Sequence, residues 1–292
     1  MQVRIVGLDI AKNVFQIHGV NAKGCVVLRK RLRRSQVTDF FANLPACLVG
    51  MEATRGAHFW ARILGSLGHT VRLVAPKFVK PYLKQGAKND PNDAAAICEA
   101  VSRPHMRFVP QKTIEQQDLQ CIHRFRSRLV GCRTQLCNQI RGLLAEYGIE
   151  IPAHVSQLRR TLPQLTEEKD DRLSSAAKSL FRALYEELVE IEVRVSHLDE
   201  KVVQAFRQSE QCQRIGAIEG VGPVTATAVV AAIANGSTFQ NGRQFAAWLG
   251  LVPRQQFQRR QTAVTRNYKK GRSVSKNATD SRGTVRCGPC RQ

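Results

Sequence analysis

Short apolar runs separated by turn residues open the chain. VRIVGLD at residues 3–9, NVFQIHGV from Asn13 and CVVLRKRL from Cys25 are rich in β-formers, and NAKG between the last two is a turn signal. They predict three successive strands with hairpin-sized connections. The apolar period then becomes helical in QVTDFFANL, returns to a buried strand in ACLVGME, is helical again in GAHFWARILGSLG and returns to strand in VRLVAP. Three antiparallel strands followed by alternating helix and strand is the element order of a ribonuclease-H-like α/β domain, here spanning residues 1–110.

Past Arg107 the period stays helical. From Glu115 to Tyr147, Leu119, Ile122, Leu129, Leu136, Ile140 and Leu143 recur at helical spacing, with Arg124, Arg126, Arg128, Arg133 and Arg141 interleaved. A second long helix is predicted from about Asp170 to Phe206, where Leu173, Leu180, Leu184, Leu188, Ile191, Val195, Leu198 and Val202 step by three, four or seven. That stepping fits either two core helices of a bundle or a coiled-coil pairing with a second copy. Residues 111–206 therefore read as a helical, coiled-coil-like region. IGAIEGVGPVTATAVVAAI follows, with Gly220 and Gly222 around Val221 and Pro223 placed to start a helix. A Gly-x-Gly turn between helices is a helix-hairpin-helix device for holding a phosphate, or simply a tight turn. FQNGRQFAAWLGLVPR then predicts a short amphipathic helix with Trp248 in its core, completing a small, mostly α region over 207–255. Residues 256–292 are basic, poor in large aliphatics and without period, the text of a disordered polycation.

Charge narrows the partners. The 292 residues carry a formal net charge of +22, which points to a polyanion, and nucleic acid before an anionic membrane. The longest apolar run, VTATAVVAAIA from Val224, is too short to span a bilayer, and no secretory signal opens the chain, so a cytoplasmic protein is expected. Nine scattered cysteines read as reduced thiols rather than a disulfide framework. CGPC, with Cys287 and Cys290, matches a redox motif but lacks the βαβ scaffold that such chemistry requires.

Against this basic background, the acids at strand ends stand out. Asp9 closes the first strand, Glu52 closes the fourth, and Asp90 and Asp93 flank Pro91 at the start of the helix in KNDPNDAAAI. Each has an ordinary explanation: Asp90 as an N-cap, Asp93 as a first-turn acid. Together they form a set of oxygen donors suited to Mg²⁺ or Mn²⁺, which would offset their mutual repulsion and polarise a phosphodiester.

VGLDIAKNVFQIHG, VGMEATRGAHFWAR, VRLVAPKFVKPYLKQGAKNDPNDAAAICEAVSRP, NQIRGLLAEYGI and NGRQFAAWLGLVPRQ, in that order over roughly residues 1–255, resemble the bridge-RNA-guided insertion-sequence transposases. These are DEDD transposases with a resolvase-like (RuvC-like) N-terminal domain and a C-terminal transposase domain. The resemblance implies that Asp9, Glu52, Asp90 and Asp93 are the catalytic, metal-binding tetrad for Mg²⁺ or Mn²⁺. It further implies DNA as substrate and a non-coding guide RNA, and the long apolar helix from Asp170 to Phe206 adds an expected homo-oligomer, dimer or tetramer. Lys12, the five arginines from Arg124 to Arg141, Gly220 and Gly222 are the expected nucleic-acid contacts.

The chain departs from the family at three points. Arg55 stands where a second glycine is expected, and Glu219 where a proline is expected in the glycine turn. After GLVPRQ the family has a Ser-Ser-Gly-Gly-Lys-like segment and a nucleophilic serine in its C-terminal domain; this chain has Phe257, Gln258, Arg259, Arg260 and Gln261. Those five residues can be encoded by TTC-CAG-CGG-CGG-CAA followed by A, and that choice, read one base later, gives Ser-Ser-Gly-Gly-Lys. RNYKKGRS and VSKNATDSRGTVR shift in the same way into lysine-bearing and apolar helical text. The tail is therefore expected to be out of frame, with strand exchange lost. Two other function classes compete: a non-catalytic nucleic-acid-binding protein, and an actin- or sugar-kinase-like ATPase whose first phosphate loop VGLDIAKN resembles.

Overall fold

The computed structural model describes residues 2–83, 90–167, 172–233, 239–251, 254–258 and 261–265. They group into two compact units, residues 1–113 with 233–292, and residues 114–232.

In the first unit the elements run β1 (Ile5–Ile10), β2 (Val14–Val20), β3 (Val26–Arg33), α1 (Val37–Ala42), β4 (Leu48–Glu52), α2 (Ala57–Ser66), β5 (Thr70–Val74), α3 (Pro76–Val79), α4 (Asp90–Ser102) and β6 (Phe108–Val109). Six strands form one sheet in the order β3-β2-β1-β4-β5-β6. β1, β2 and β3 pair antiparallel, β1, β4 and β5 parallel, and β6 closes the edge antiparallel. This is the mixed α/β arrangement predicted, consistent with a ribonuclease-H-like N-terminal domain; β6, two residues long, carries too little pattern to be foreseen.

Side chains alternate across the strands, so each face has its own core. On one face Val6, Leu8, Phe15, Val49 and Met51 pack with Phe41 of α1 and Trp60 and Leu64 of α2. On the other, Ala96, Ile97, Ala100 and Val101 of α4 pack with Val74 and Val79. The turn into α2 tolerates Arg55 because only Gly56, at φ 85°, occupies the left-handed region, and no non-glycine residue does so among the described residues. Cys47 and His69 are both buried. His69 Nε2–H donates to the Phe41 carbonyl at 2.9 Å, leaving Nδ1 to accept the Cys47 N–H at 3.3 Å. Burial pushes the Cys47 thiol up to about 11, so this Cys–His pair is structural rather than nucleophilic. His58 accepts the Lys112 N–H at 3.3 Å, and burial beside Lys112 and Arg62 pushes it down to about 4, keeping it neutral.

The second unit contains α5 (Ile114–Ala145), α6 (Val155–Leu165), α7 (Ser175–Gln208), α8 (Glu210–Gly216) and α9 (Pro223–Ala232). Ser174 caps α7, accepting the Ala177 N–H. α5 and α7 lie antiparallel: Arg126 pairs with Asp199, and Tyr147 meets Phe181 at 6.1 Å between rings. The heptad-like stripe of α7 is thereby buried within the chain; Leu188, Ile191, Val195 and Leu198 share one core with Leu136, Ile140 and Leu144 of α5 and Leu158, Leu162 and Leu165 of α6. Leu180 remains 52% exposed. α9 is tied to α5 through His123 Nε2–H, 3.0 Å from Thr227 Oγ1, whose hydroxyl donates to the Pro223 carbonyl at 2.6 Å. Helices α8 and α9 pack with the long helices within this unit.

α10 (Gly242–Leu249) is capped by Asn241 and carries an aromatic cluster of Phe239, Phe245 and Trp248. Trp248 is half-buried rather than in a core. β7 (Arg254–Gln258) and β8 (Gln261–Thr265) pair antiparallel where no regular structure was expected, the β-branched Thr262, Val264 and Thr265 supplying strand propensity. The redox-like Cys287 and Cys290 lie outside the described residues, and the seven described cysteines are all free. No helix among the described residues is long and apolar enough to cross a membrane.

Candidate metal centre

Two glycines bring the acids to one face. A Cβ on Gly7 would sit 2.0 Å from the Ala94 carbonyl oxygen and 2.5 Å from the Cys98 nitrogen, and one on Gly50 would sit 2.8 Å from Val101 Cβ. α4 therefore lies directly on the bare backbone of β1 and β4. Positions 9 and 52 share that face with 7 and 50, because strand side chains alternate. Leu8 and Met51 are the last paired residues of the parallel β1–β4 register, and Asp9 and Glu52 follow them. The C-terminal half of α4 lies by the strand starts, where Cys98 Sγ is 3.9 Å from the Ile5 carbonyl oxygen. Its N-terminal half, with Asp90 and Asp93, accordingly lies toward the strand ends that carry Asp9 and Glu52.

Electrostatics link part of this set. The Glu52 carboxyl is raised above the ordinary carboxylate range by burial and by Asp93, and Lys80 opposes the shift. Lys80, in the 3-10 turn Lys80–Tyr82 after α3, is a neighbour that sequence pattern did not single out. Among the described residues no three His, Cys, Asp or Glu side chains come close enough to hold a metal ion. The Asp90 side chain lies outside the described residues. Within the described set, Asp93 is the acid whose charge acts on Glu52.

The expected nucleic-acid contacts divide by environment. Lys12 is exposed in the β1–β2 turn, two residues past the end of the strand that carries Asp9. Arg124 and Arg128 are exposed on α5, Arg128 stacking over Phe125 at 5.2 Å. Arg126 is ion-paired with Asp199. Arg141 donates to the Pro152 and Ala153 carbonyls at 3.3 and 2.8 Å. Arg133 has a buried Nε and lies close enough to Cys137, with Glu192, to act on its thiol. Three of the five arginines thus have roles inside the second unit. Gly220, at φ 81°, needs its glycine for the turn into α9; Gly222 has no such backbone need, and a Cβ there would meet open space.

Comparison with known proteins adds the family. Residues 6–149 match the DEDD-type domain of IS110 transposases, and residues 212–275 match the transposase IS116/IS110/IS902 family. A probable family 20 transposase of Pseudomonas aeruginosa is 50% identical over 87% of this chain and 75% of its own length. The transposase for insertion sequence element IS1111A of Coxiella burnetii is 41% identical, over 87% of this chain and 69% of its own. The transposase for insertion sequence element IS1328 of Yersinia enterocolitica is 38% identical, over 87% of this chain and 75% of its own. These matches set aside the ATPase and the non-catalytic binding protein. The chain belongs to the IS110/IS116/IS902 family of transposases, enzymes that cleave DNA and transfer its strands.

Proposed function

We propose that this chain is the transposase of an insertion sequence in which Asp9, Glu52, Asp90 and Asp93 hold Mg²⁺ or Mn²⁺ at the cleaved phosphodiester. The observation that carries the reading is the raised Glu52 carboxyl beside Asp93, on the face where α4 brings its acidic end toward Asp9. Carboxylate oxygens are the donors these hard cations take, and a cation there offsets the repulsion that otherwise favours the protonated acid. When bound, the metal supplies polarisation of the phosphodiester and activation of its attacker. The chain's own residues position it: β1 and β4 fix Asp9 and Glu52, α4 fixes the aspartates, and Lys80 adds a cation next to Glu52. Lys12, Arg124, Arg128 and the Gly220–Gly222 turn are the phosphate contacts this reading favours.

The same reading gives the protein a non-coding guide RNA from its element and a homo-oligomeric state, dimer or tetramer. It also takes the tail after Gln255 as out of frame, so that this copy lacks its nucleophilic serine. The support is that relatives match 253–256 of the 292 residues, leaving a length close to that of the tail, although the second family match runs on to residue 275. The test is recombination in vitro between a plasmid carrying the element and a target plasmid, using the chain with its reading frame restored. Product should form only with Mg²⁺ and the element's non-coding transcript together. Product without the transcript would reject RNA guidance, and product in EDTA would reject the metal.

A further inference from the structure

The sheet register extends past the acids. On the face covered by α4, the cross-strand row through Asp9 continues to Gln16 on β2 and Arg31 on β3, and the row through Gly7 continues to His18 and Arg29. α4 covers the β1 end of both rows. Beyond it opens a groove of about 1020 Å³, walled by Gln16, His18, Arg29 and Arg31 from the sheet and by Asn92 and Glu99 from α4. Arg29 and Arg31 are exposed, and among the described residues neither is in an ion pair. Glu99, the carboxylate lining this groove, is engaged by Arg103. His18 is 9% exposed and offers one ring donor and one ring acceptor at the floor.

The groove also leads to the acids. Asn92 at its upper end adjoins Asp93, and Arg31 stands two strand spacings, about 10 Å, from Asp9. A channel with a cationic wall, a neutral hydrogen-bonding floor and a helix along its other side suits one strand of phosphodiester backbone. A duplex laid on the same wall would meet the flank of α4.

We propose that this groove holds a single-stranded stretch of the DNA substrate, with Arg29 and Arg31 on phosphates next to the one presented to the acids. The proposal rests on the transposase reading for its substrate, and its test is independent of the metal. Binding of a short labelled single-stranded DNA, its duplex and the equivalent RNA is followed by fluorescence anisotropy in EDTA over a salt series. Arg29→Ala with Arg31→Ala should weaken single-stranded DNA binding tenfold or more. It should also reduce the log–log salt slope by about 1.4, at roughly 0.7 per phosphate lost. Arg29→Lys with Arg31→Lys should retain the slope. Arg194→Ala with Arg214→Ala removes the same charge from helices α7 and α8 and should change little. A loss no larger than in that control overturns the proposal. So does a loss confined to duplex or to RNA. A failed metal titration with an intact arginine effect would reject the acid site alone.

Discussion

On the proposed frameshift, removing one base near codon 256 is expected to raise strand exchange sharply. The proposal takes Phe257, Gln258, Arg259, Arg260 and Gln261 as standing where the resemblance implies a serine–glycine segment. Loss of a covalent nucleophile costs on the order of 10³- to 10⁶-fold in rate, so restoring the frame should raise strand exchange by at least the lower figure. The shift should leave residues 1–255 unchanged, and with them the sheet, α4 and the helical unit. Hairpin β7–β8 does not oppose this, because two isolated strands are marginal in water and could not replace a packed helix. Sequencing the gene gives the first check, since the shifted frame after Gln255 must encode Ser-Ser-Gly-Gly-Lys. A different text there, or a repaired chain that still exchanges no strands, would contradict the frame assignment.

Gly7→Ala is expected to be the most damaging single methyl group in the first unit. Its Cβ would sit 2.0 Å from a backbone oxygen and 2.5 Å from a backbone nitrogen of α4, neither of which can swing aside like a side chain. Overpacking a tight core commonly costs about 1–3 kcal/mol, and contact with main-chain atoms belongs at or above the top of that range. α4 must lift from β1, moving Asp90 and Asp93 away from Asp9 and Glu52, so metal affinity should fall along with stability. Gly142→Ala offers the opposite case: it lies inside α5 with open space around it, and removing its helix penalty should stabilise by about 0.5–1 kcal/mol. Thermal melts of the two variants should move in opposite directions; an unchanged melt for Gly7→Ala would mean that α4 does not rest on β1 in this way.

Much of this arrangement was legible in the sequence. β1 to β5, α1 and α2 appear where apolar period and turn residues place them, because β1, β2 and β4 carry buried runs and every connection except Arg34–Gln36 carries a glycine, asparagine or proline signal. α6 was missed although Leu158, Leu162 and Leu165 keep helical spacing; Pro163 and the polar residues between them mask the pattern. The arginines of α5 show the limit of charge patterning. The partner that occupies Arg126 is Asp199, on a helix far along the chain, and Arg141 turns to carbonyls of the loop after α5. For the same reason the α7 stripe could not reveal whether its partner is α5 or a second copy. At the acids, strand ends draw attention to Asp9 and Glu52, and the helix start to Asp90 and Asp93. Lys80 was missed because its nearness to Glu52 arises from the turn after α3, which no periodicity predicts. Gly7 and Gly50, which make the close approach of α4 possible, look in the sequence like any other strand residues.

The central claim is that these acids form a divalent-metal site, and calorimetric titration with Mn²⁺ tests it most directly. The protein is expected to bind Mn²⁺ at the wild-type acids, and Asp9→Asn or Asp93→Asn should weaken that binding at least tenfold while the circular dichroism spectrum stays unchanged. Equal Mn²⁺ affinity in the wild type and both variants would contradict the assignment.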